Sequence, residues 1–364
     1  MKKKALIISN SFGSIANFRF ELVEKLSNDG YSIFACFPYE KNDKKYELPG
    51  TKTIDIKMET NKTNVLSDIY LLIQYIKIIK RINPDIVLSY TIKPNIYGSI
   101  AAILMKKDII ISITGLGKGM DNEGILHFIT VSLYRLICKK VKCVFFQNEN
   151  NLAYFQKNKI IMKKYKIVSG SGVNLNKYQI LPYPTGEDLC FVMICRIMKE
   201  KGVYEYIEAA KRVKKVYPNF TFYLVGKCDD EEIMQAIIKE DKEGIIRFEG
   251  HQDNVTNYYR KCSCVIHPSY YPEGMSNVVL EASASARPVI TTFNPGCCEA
   301  IEDEKTGYLC KVKDADDLTR KILKFINLSY AQKKEMGLNA RKKMEIDFNR
   351  DTVIKNYLEE INRV

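Results

Sequence analysis

The segment Asp188–Val225, DLCFVMICRIMKEKGVYEYIEAAKRVKKVYPNFTFYLV, holds an apolar run (189–195), a helical pattern (202–217) and a second apolar run (220–225). Short, uniformly apolar strands joined by helices belong to parallel sheets covered on both faces. The same alternation extends outward from this unit. Apolar runs precede it at 5–8, 31–37, 86–90, 109–113 and 141–146, with a helical pattern over 64–82, and others follow at 263–267 and 288–292. The expected class is α/β and doubly wound.

The pattern pauses near 170–187, within SGSGVNLNKYQILPYPTGED, which is rich in Gly, Ser and Pro. Such composition reads as a linker. At 364 residues, 46% of them apolar, the chain is long enough for two domains with a core each. We therefore expect a Rossmann-like N-terminal domain over 1–175 and a second over 176–345. The helical segment 346–364 is expected to return to the first. Two such halves leave a cleft, and ligands bind beyond the carboxyl ends of the strands.

Charge separates the halves. Residues 1–175 carry 27 Lys and Arg against 14 Asp and Glu, while residues 176–364 carry 29 of each. The whole +13 surplus thus lies in the first half, which reads either as a solvated Lys-rich surface or as a site for an anionic partner such as nucleic acid, a membrane surface or a phosphorylated acceptor. No nucleic-acid motif or aromatic-basic repeat is present, which argues against nucleic acid. No apolar stretch is long enough to span a bilayer, and the run Ala5–Ile8 is too short for a signal peptide. A cytoplasmic protein is expected. The eleven cysteines form no Cys-x-x-Cys pair and most lie in apolar runs, so reduced thiols are expected. Neither His nor Cys spacing points to a metal site.

Two stretches carry candidate chemistry. Glu273-Gly274-Met275-Ser276-Asn277-Val278-Val279-Leu280-Glu281 follows a strand-like run ending in His267-Pro268-Ser269. Gly274 permits a sharp turn, and Ser276 or Asn277 suits the cap of the next helix. Free N–H groups at that helix start favour phosphate. Glu273 and Glu281 supply carboxylates that accept hydrogen bonds from sugar or ribose hydroxyls. The other stretch is Cys195-Arg196-Ile197-Met198-Lys199-Glu200-Lys201-Gly202. Arg196 stands where the strand ends and Lys201 where the helix opens, offering a planar fork and a point charge to a diphosphate.

With this spacing, Arg-x4-Lys-Gly followed by Pro-Ser and Glu-x7-Glu, the chain resembles the retaining family 4 glycosyltransferases of the GT-B fold. Within them it resembles the bacterial enzymes that extend polyprenyl-diphosphate-linked sugars, of the bacillosaminyl-diphospho-undecaprenol N-acetylgalactosaminyltransferase type. The stretches that carry this narrower likeness are Ser14–Arg19, Lys93–Gly98, Thr114–Gly117, Gly172–Leu175 and Cys298–Ile301. The resemblance implies that Arg196 and Lys201 bind the donor diphosphate and stabilise the leaving group. It places Glu273 on the donor sugar and Glu281 on the ribose. It brings the backbone of Gly274, Met275, Ser276 and Asn277 to the phosphates, and Gly13 beside the reaction centre. It further implies a UDP-sugar donor, no metal cofactor, and a lipid-linked saccharide acceptor in surface-polysaccharide or glycan assembly. The enzyme would sit peripherally on the inner face of the plasma membrane. Arg19, Lys93, Asn95 and Lys118 are the candidate acceptor contacts. Many relatives carry a His in the N-terminal domain, but the strand end here reads Ile113-Thr114-Gly115-Leu116-Gly117. No His-dependent step is therefore carried over.

A UDP-N-acetylglucosamine 2-epimerase would share the architecture, but the Arg196/Lys201 and Glu273/Glu281 constellation argues against it. Asp314-Ala315-Asp316 looks like an Asp-x-Asp metal motif, yet it stands at a helix start and reads as a cap. Residues 124–146, GILHFITVSLYRLICKKVKCVFF, open with a helix apolar on almost every side. That is the pattern of a buried helix, favoured here over one touching a membrane.

Overall fold

The computed structural model describes residues 2–39, 48–59, 64–116 and 124–363. The chain divides into two compact units: Met1–Ser171 together with Val353–Val364, and Gly172–Thr352. Lys118 and Gly117 lie outside the described residues.

The first unit is built on seven strands: β1 (Lys4–Ile8), β2 (Ser32–Phe37), β3 (Thr51–Asp55), β4 (Ile86–Tyr90), β5 (Asp108–Ile113), β6 (Cys143–Phe146) and β7 (Tyr165–Ile167). Their order is β3-β2-β1-β4-β5-β6-β7, parallel throughout. Helices α1 (Phe12–Ala16) and α2 (Phe20–Asn28) cover one face through Phe12, Ile15, Leu22, Val23 and Leu26. Helices α3 (Val65–Ile82), α4 (Ser99–Leu104), α5 (Ile125–Ile137) and α6 (Glu149–Lys157) cover the other. A π-helical turn over Pro94–Gly98 leads into α4.

The expected burial of the 124–140 helix is corrected by α5. Only Thr130, Val131, Tyr134 and Ile137 turn to the core, while Ile125 and Phe128 are 83% and 68% exposed. A helix laid on the outside of a sheet has one face to bury, so apolar residues on the remaining faces stay in solvent.

The second unit has six parallel strands: β8 (Cys190–Ile194), β9 (Thr221–Val225), β10 (Arg247–Phe248), β11 (Cys264–His267), β12 (Val289–Thr292) and β13 (Gly307–Cys310). Their order is β10-β9-β8-β11-β12-β13. Between and after them run α7 (Val203–Lys214), α8 (Glu231–Lys242), α9 (Thr256–Lys261), α10 (Asn277–Ala284), α11 (Ala315–Ile326) and α12 (Tyr330–Asp347). Asp314 caps α11, accepting from Asp317 N at 2.8 Å, which accounts for the Asp-x-Asp stretch.

The Gly/Pro-rich stretch is no free linker. From Gly172 onward it packs on the second unit, where fully buried Arg287 donates to the carbonyls of Leu181 and Pro182 as well as Tyr259. The final helix, α13 (Arg350–Asn362), begins in the second unit and joins the first from Val353, later than the expected 346. There Val353, Tyr357 and Ile361 complete the core beneath α2. All eleven cysteines are free thiols. No helix among the described residues is long and apolar enough to cross a membrane.

Candidate active site

In the second unit β8 and β11 are neighbours, and the strand order reverses between them. Loops that leave such a pair diverge and open a crevice at the carboxyl edge. Arg196 and Lys201 follow β8, while Ser269 and Glu273 follow β11.

Lys201 Nζ lies 2.5 Å from Glu273 Oε1. Two glycines allow this approach. Gly202 has φ +79°, and a Cβ there would stand 2.2 Å from the Pro268 carbonyl oxygen, so the Lys201 loop closes on Pro268 only with glycine. Gly296 has φ +85°, and a Cβ there would stand 2.6 Å from the Glu273 carbonyl oxygen. Gly296 N donates to Glu299 Oε2 at 2.8 Å, and Gly296 O accepts from Ser276 N at 2.7 Å. Gly274, the glycine singled out in the sequence, needs no positive φ.

Glu273 Oε1 collects further donors. Ser269 Oγ donates to it at 3.0 Å, and His267 Nε2 lies 3.4 Å away. Burial alone would raise this carboxyl. The His267 hydrogen bond and the Lys201 charge reverse that and hold it at about 2. Ser276 occupies the N-cap position of α10 without a side-chain cap bond, and its hydroxyl pairs with His267 Nε2 at 3.0 Å. The expected Ser276 cap is thus replaced by a tie to histidine.

Glu281 sits one turn into α10 and accepts from Tyr259 OH at 3.2 Å. Burial raises its carboxyl, opposed by the tyrosine hydrogen bonds and by Lys177 and Arg350. Arg196 is exposed, touches the Met198 sulfur at 3.5 Å and has no carboxylate at ion-pair distance among the described residues. An exposed guanidinium and a held ammonium therefore stand at one strand exit.

The N-terminal candidates fare differently. Arg19 is buried, its guanidinium 4.4 Å from the Tyr90 ring and 2.5 Å from Ser171 Oγ. Asn95 is buried in the π-helical turn and donates to Ser112 O at 2.8 Å. Both are candidate acceptor contacts by sequence, and both pack inside, where polar groups must find partners. Lys93 remains partly open but pairs with Asp68 at 2.7 Å, and Tyr97 OH donates to the same carboxylate. Gly13 lies inside α1, where an added Cβ would meet only Asn17 Nδ2 at 3.6 Å.

Sequence spacing showed no metal cluster, yet the fold gathers one set of ligand-type atoms. Those of His267, Glu273 and Cys297 lie within 4.8 Å of one another. The set is already committed. Lys201 holds Glu273, Ser276 holds His267 Nε2, and burial pushes the Cys297 thiol well up, so it stays protonated. His267, Gly296, Glu299 and Tyr259 were not picked as site residues. His267 carried a signal by ending the strand before Pro268-Ser269, and Glu299 by lying in the Cys298–Ile301 stretch.

Residues 7–148 match the glycosyl transferase 4-like family model, and residues 183–343 match that of glycosyl transferases group 1. The chain is 26% identical, over 98% of both sequences, to the N,N'-diacetylbacillosaminyl-diphospho-undecaprenol alpha-1,3-N-acetylgalactosaminyltransferase of Campylobacter jejuni. It is 25% identical, over 78% of each, to the capsular polysaccharide biosynthesis glycosyltransferase CapM of Staphylococcus aureus. Its fold is similar to that of Anabaena Alr3699/HepE, solved with UDP and glucose (TM-score 0.81, 15% identity, 100% of both chains). It is also similar to a glycosyltransferase from Rickettsia africae (TM-score 0.79, 19% identity, 99% and 98% covered). The fold is GT-B, in the α/β class. The chain is a glycosyltransferase whose glycosyl transferase 4-like domain precedes a group 1 domain.

Proposed function

We propose that this enzyme moves a hexose or N-acetylhexosamine, with retention, from a UDP-sugar to a polyprenyl-diphosphate-linked saccharide in surface-glycan assembly. The observation that carries the reading is the strand-exit cluster of Lys201 with Glu273 beside exposed Arg196. The second unit would bind the donor. Arg196 and Lys201 would hold the diphosphate, Glu273 the sugar hydroxyls and Glu281 the ribose, with the backbone of 274–277 along the phosphates. The acceptor class is supported by the Campylobacter relative, which is named for a diphospho-undecaprenol-linked substrate. The first unit would take this acceptor, with Lys93 the described candidate still partly open. The enzyme would work at the inner face of the plasma membrane.

In the transfer, the bond from the anomeric carbon to the β-phosphate oxygen breaks, and its electron pair leaves with UDP. The acceptor hydroxyl oxygen bonds to the same face of that carbon, and its proton passes to the leaving phosphate oxygen. Lys201 and Arg196 would stabilise the charge growing on that phosphate. No metal is required in this reading, because these two cations meet the diphosphate.

A panel of UDP- and GDP-sugars, offered with polyprenyl-diphosphate saccharides and no added metal, tests it. Release of UDP should depend on one sugar and on the lipid, and should vanish in Arg196→Ala. Absence of any nucleotide binding would overturn the proposal.

A further inference from the structure

Helix α10 starts without the bond that its first residue is placed to make. Ser276 has the extended backbone of an N-cap (φ −79°, ψ 107°), and Leu280 N donates to its carbonyl. A serine in that position ordinarily turns its hydroxyl oxygen to an amide of the first turn. Ser11 does so with Ser14 N at the start of α1, and Ser329 with Gln332 N at the start of α12. Ser276 does not, and the amides of Asn277, Val278 and Val279 have no acceptor among the described residues. Val279 is fully buried, and buried amides without a partner are rare.

His267 takes the hydroxyl instead, with Nε2 3.0 Å from Ser276 Oγ. This histidine ends β11, is 1% exposed, and is fixed from the next strand. It pairs in register with Thr291 of β12, whose hydroxyl donates to the His267 carbonyl at 2.8 Å. Charge orients the ring. Glu273 Oε1 stands 3.4 Å from the same Nε2, and the His267 hydrogen bond and the Lys201 charge hold that carboxyl ionised. A carboxylate only accepts, so the ring proton belongs on Nε2, and the Ser276 oxygen takes a share of it. Nδ1 has no hydrogen-bond partner among the described residues, so Nε2 carries the whole polar role of the side chain. The Ser276 oxygen is thereby turned away from the first-turn amides.

We infer that His267 is a positioning residue that holds the Ser276 hydroxyl off the start of α10, and so keeps the amides of Asn277 and Val278 uncapped for the donor diphosphate. The inference rests on the nucleotide reading above and names what prepares that site. An uncapped first turn offers its N–H groups and the positive end of the helix to an anion. A serine cap would occupy the same turn, and the diphosphate would have to displace it. Asn277 and Val278 are half-buried rather than closed off, and Arg196 and Lys201 at the neighbouring strand exit supply charge for the same anion.

The test is calorimetric titration of UDP into the full chain. UDP has no sugar, so the proposed sugar contact of Glu273 stays out of the reading. His267→Leu releases Ser276, and UDP should bind about fivefold more weakly, the factor carried by one N-cap bond. Removing the released hydroxyl as well, in His267→Leu/Ser276→Ala, should return the affinity to within about twofold of the wild type. The same double variant should melt below the single one, because the new cap is lost. Affinity that returns while stability falls is not the behaviour of a merely structural histidine. His267→Gln and His267→Asn repeat the test where leucine is not tolerated. Both place an amide in the site, but only glutamine has the reach of Nε2, so Gln should bind UDP more tightly than Asn. Wild-type affinity in His267→Leu, a double variant no tighter than the single one, or equal weakness of Gln and Asn overturns the inference. A wild type that binds no UDP strikes the nucleotide reading and the inference with it. UDP binding that follows these variants in a protein without transfer activity supports the inference, and places the failure in the acceptor half of the proposed reaction.

Discussion

The two units present the same topological exits with opposite use of charge. In each sheet the order reverses between a first strand and a later partner, β1 with β4 and β8 with β11. Beyond β8 and β11, Arg196 is open and Lys201, His267 and Ser269 converge on one carboxylate oxygen. Beyond β1 and β4, Arg19 is packed on Tyr90, Asn95 is buried, and Lys93 is paired. Equivalent positions in one architecture thus become a charged site in one unit and internal scaffolding in the other. A cation near a strand end is not, by position, a ligand contact. Lys201 and Lys93 are each held by a carboxylate, and what sets the second unit apart is exposed Arg196 beside such a pair.

The largest expected effect breaks the comparison at its strong end. Lys201→Ala removes the ammonium held on Glu273, and kcat/KM for transfer should fall about 10²–10³-fold, as when one preorganised donor to a developing anion is lost. Glu273→Gln should fall by a similar order, with its loss mainly in kcat if Glu273 orients the sugar. Steady-state UDP release measures both. Full turnover by the Gln variant would remove Glu273 from the sugar.

The weak end is sharpened by two substitutions in the first unit. Arg19→Ala strips the partner from buried Ser171 and the Tyr90 ring, so stability should fall by about 1–3 kcal/mol. The fraction that remains folded should keep wild-type KM values. Lys93→Ala frees Asp68 instead, and should raise KM for the acceptor up to about tenfold, the size of one modest charge contact, with the donor KM unchanged. Thermal melts beside separate donor and acceptor titrations distinguish the two. A shift of acceptor KM in Arg19→Ala would restore it as a contact.

Much of this was legible in the sequence. The runs at 5–8, 86–90, 109–113, 189–195 and 288–292 all became strands, because central parallel strands are buried on both faces and cannot hide their apolar character. The edge strands β3, β7 and β10 gave no such signal, since half or more of their residues meet solvent. β13 is short and opens on Gly307, where a Cβ would stand 2.0 Å from the Val289 carbonyl. In the site, Arg196, Lys201, Glu273 and Glu281 were readable because loop and helix offsets fix them locally. His267, Gly296 and Tyr259 were not, since their roles arise from approaches across the sheet. The outward face of α5 was misread because apolarity alone does not say how many faces have a neighbour.

The smallest effect separates the two carboxylates of the proposed donor site from each other. Glu273 is held low by Lys201 and His267, whereas Glu281 is raised by burial and only partly relieved by Tyr178 and Tyr259. An acid whose folded value lies above its unfolded one binds more protons when folded. Its contribution is present below the unfolded value near 4.5 and is lost as pH rises through the folded value. Glu281→Gln abolishes that loss. The variant should therefore melt higher than the wild type at pH 7 to 8, by a few degrees at most, and the gap should close as pH falls below about 4.5. Its donor affinity should move the other way, since an amide accepts less strongly from ribose hydroxyls than a carboxylate. Glu273→Gln should show the reverse dependence. Glu273 adds stability above its unfolded value, lost as pH falls toward about 2, so its amide variant should be the less stable at neutral pH. Parallel melting curves for the two variants across pH would mean that the carboxylates share one environment, and that the ion pair with Lys201 does not set Glu273 apart.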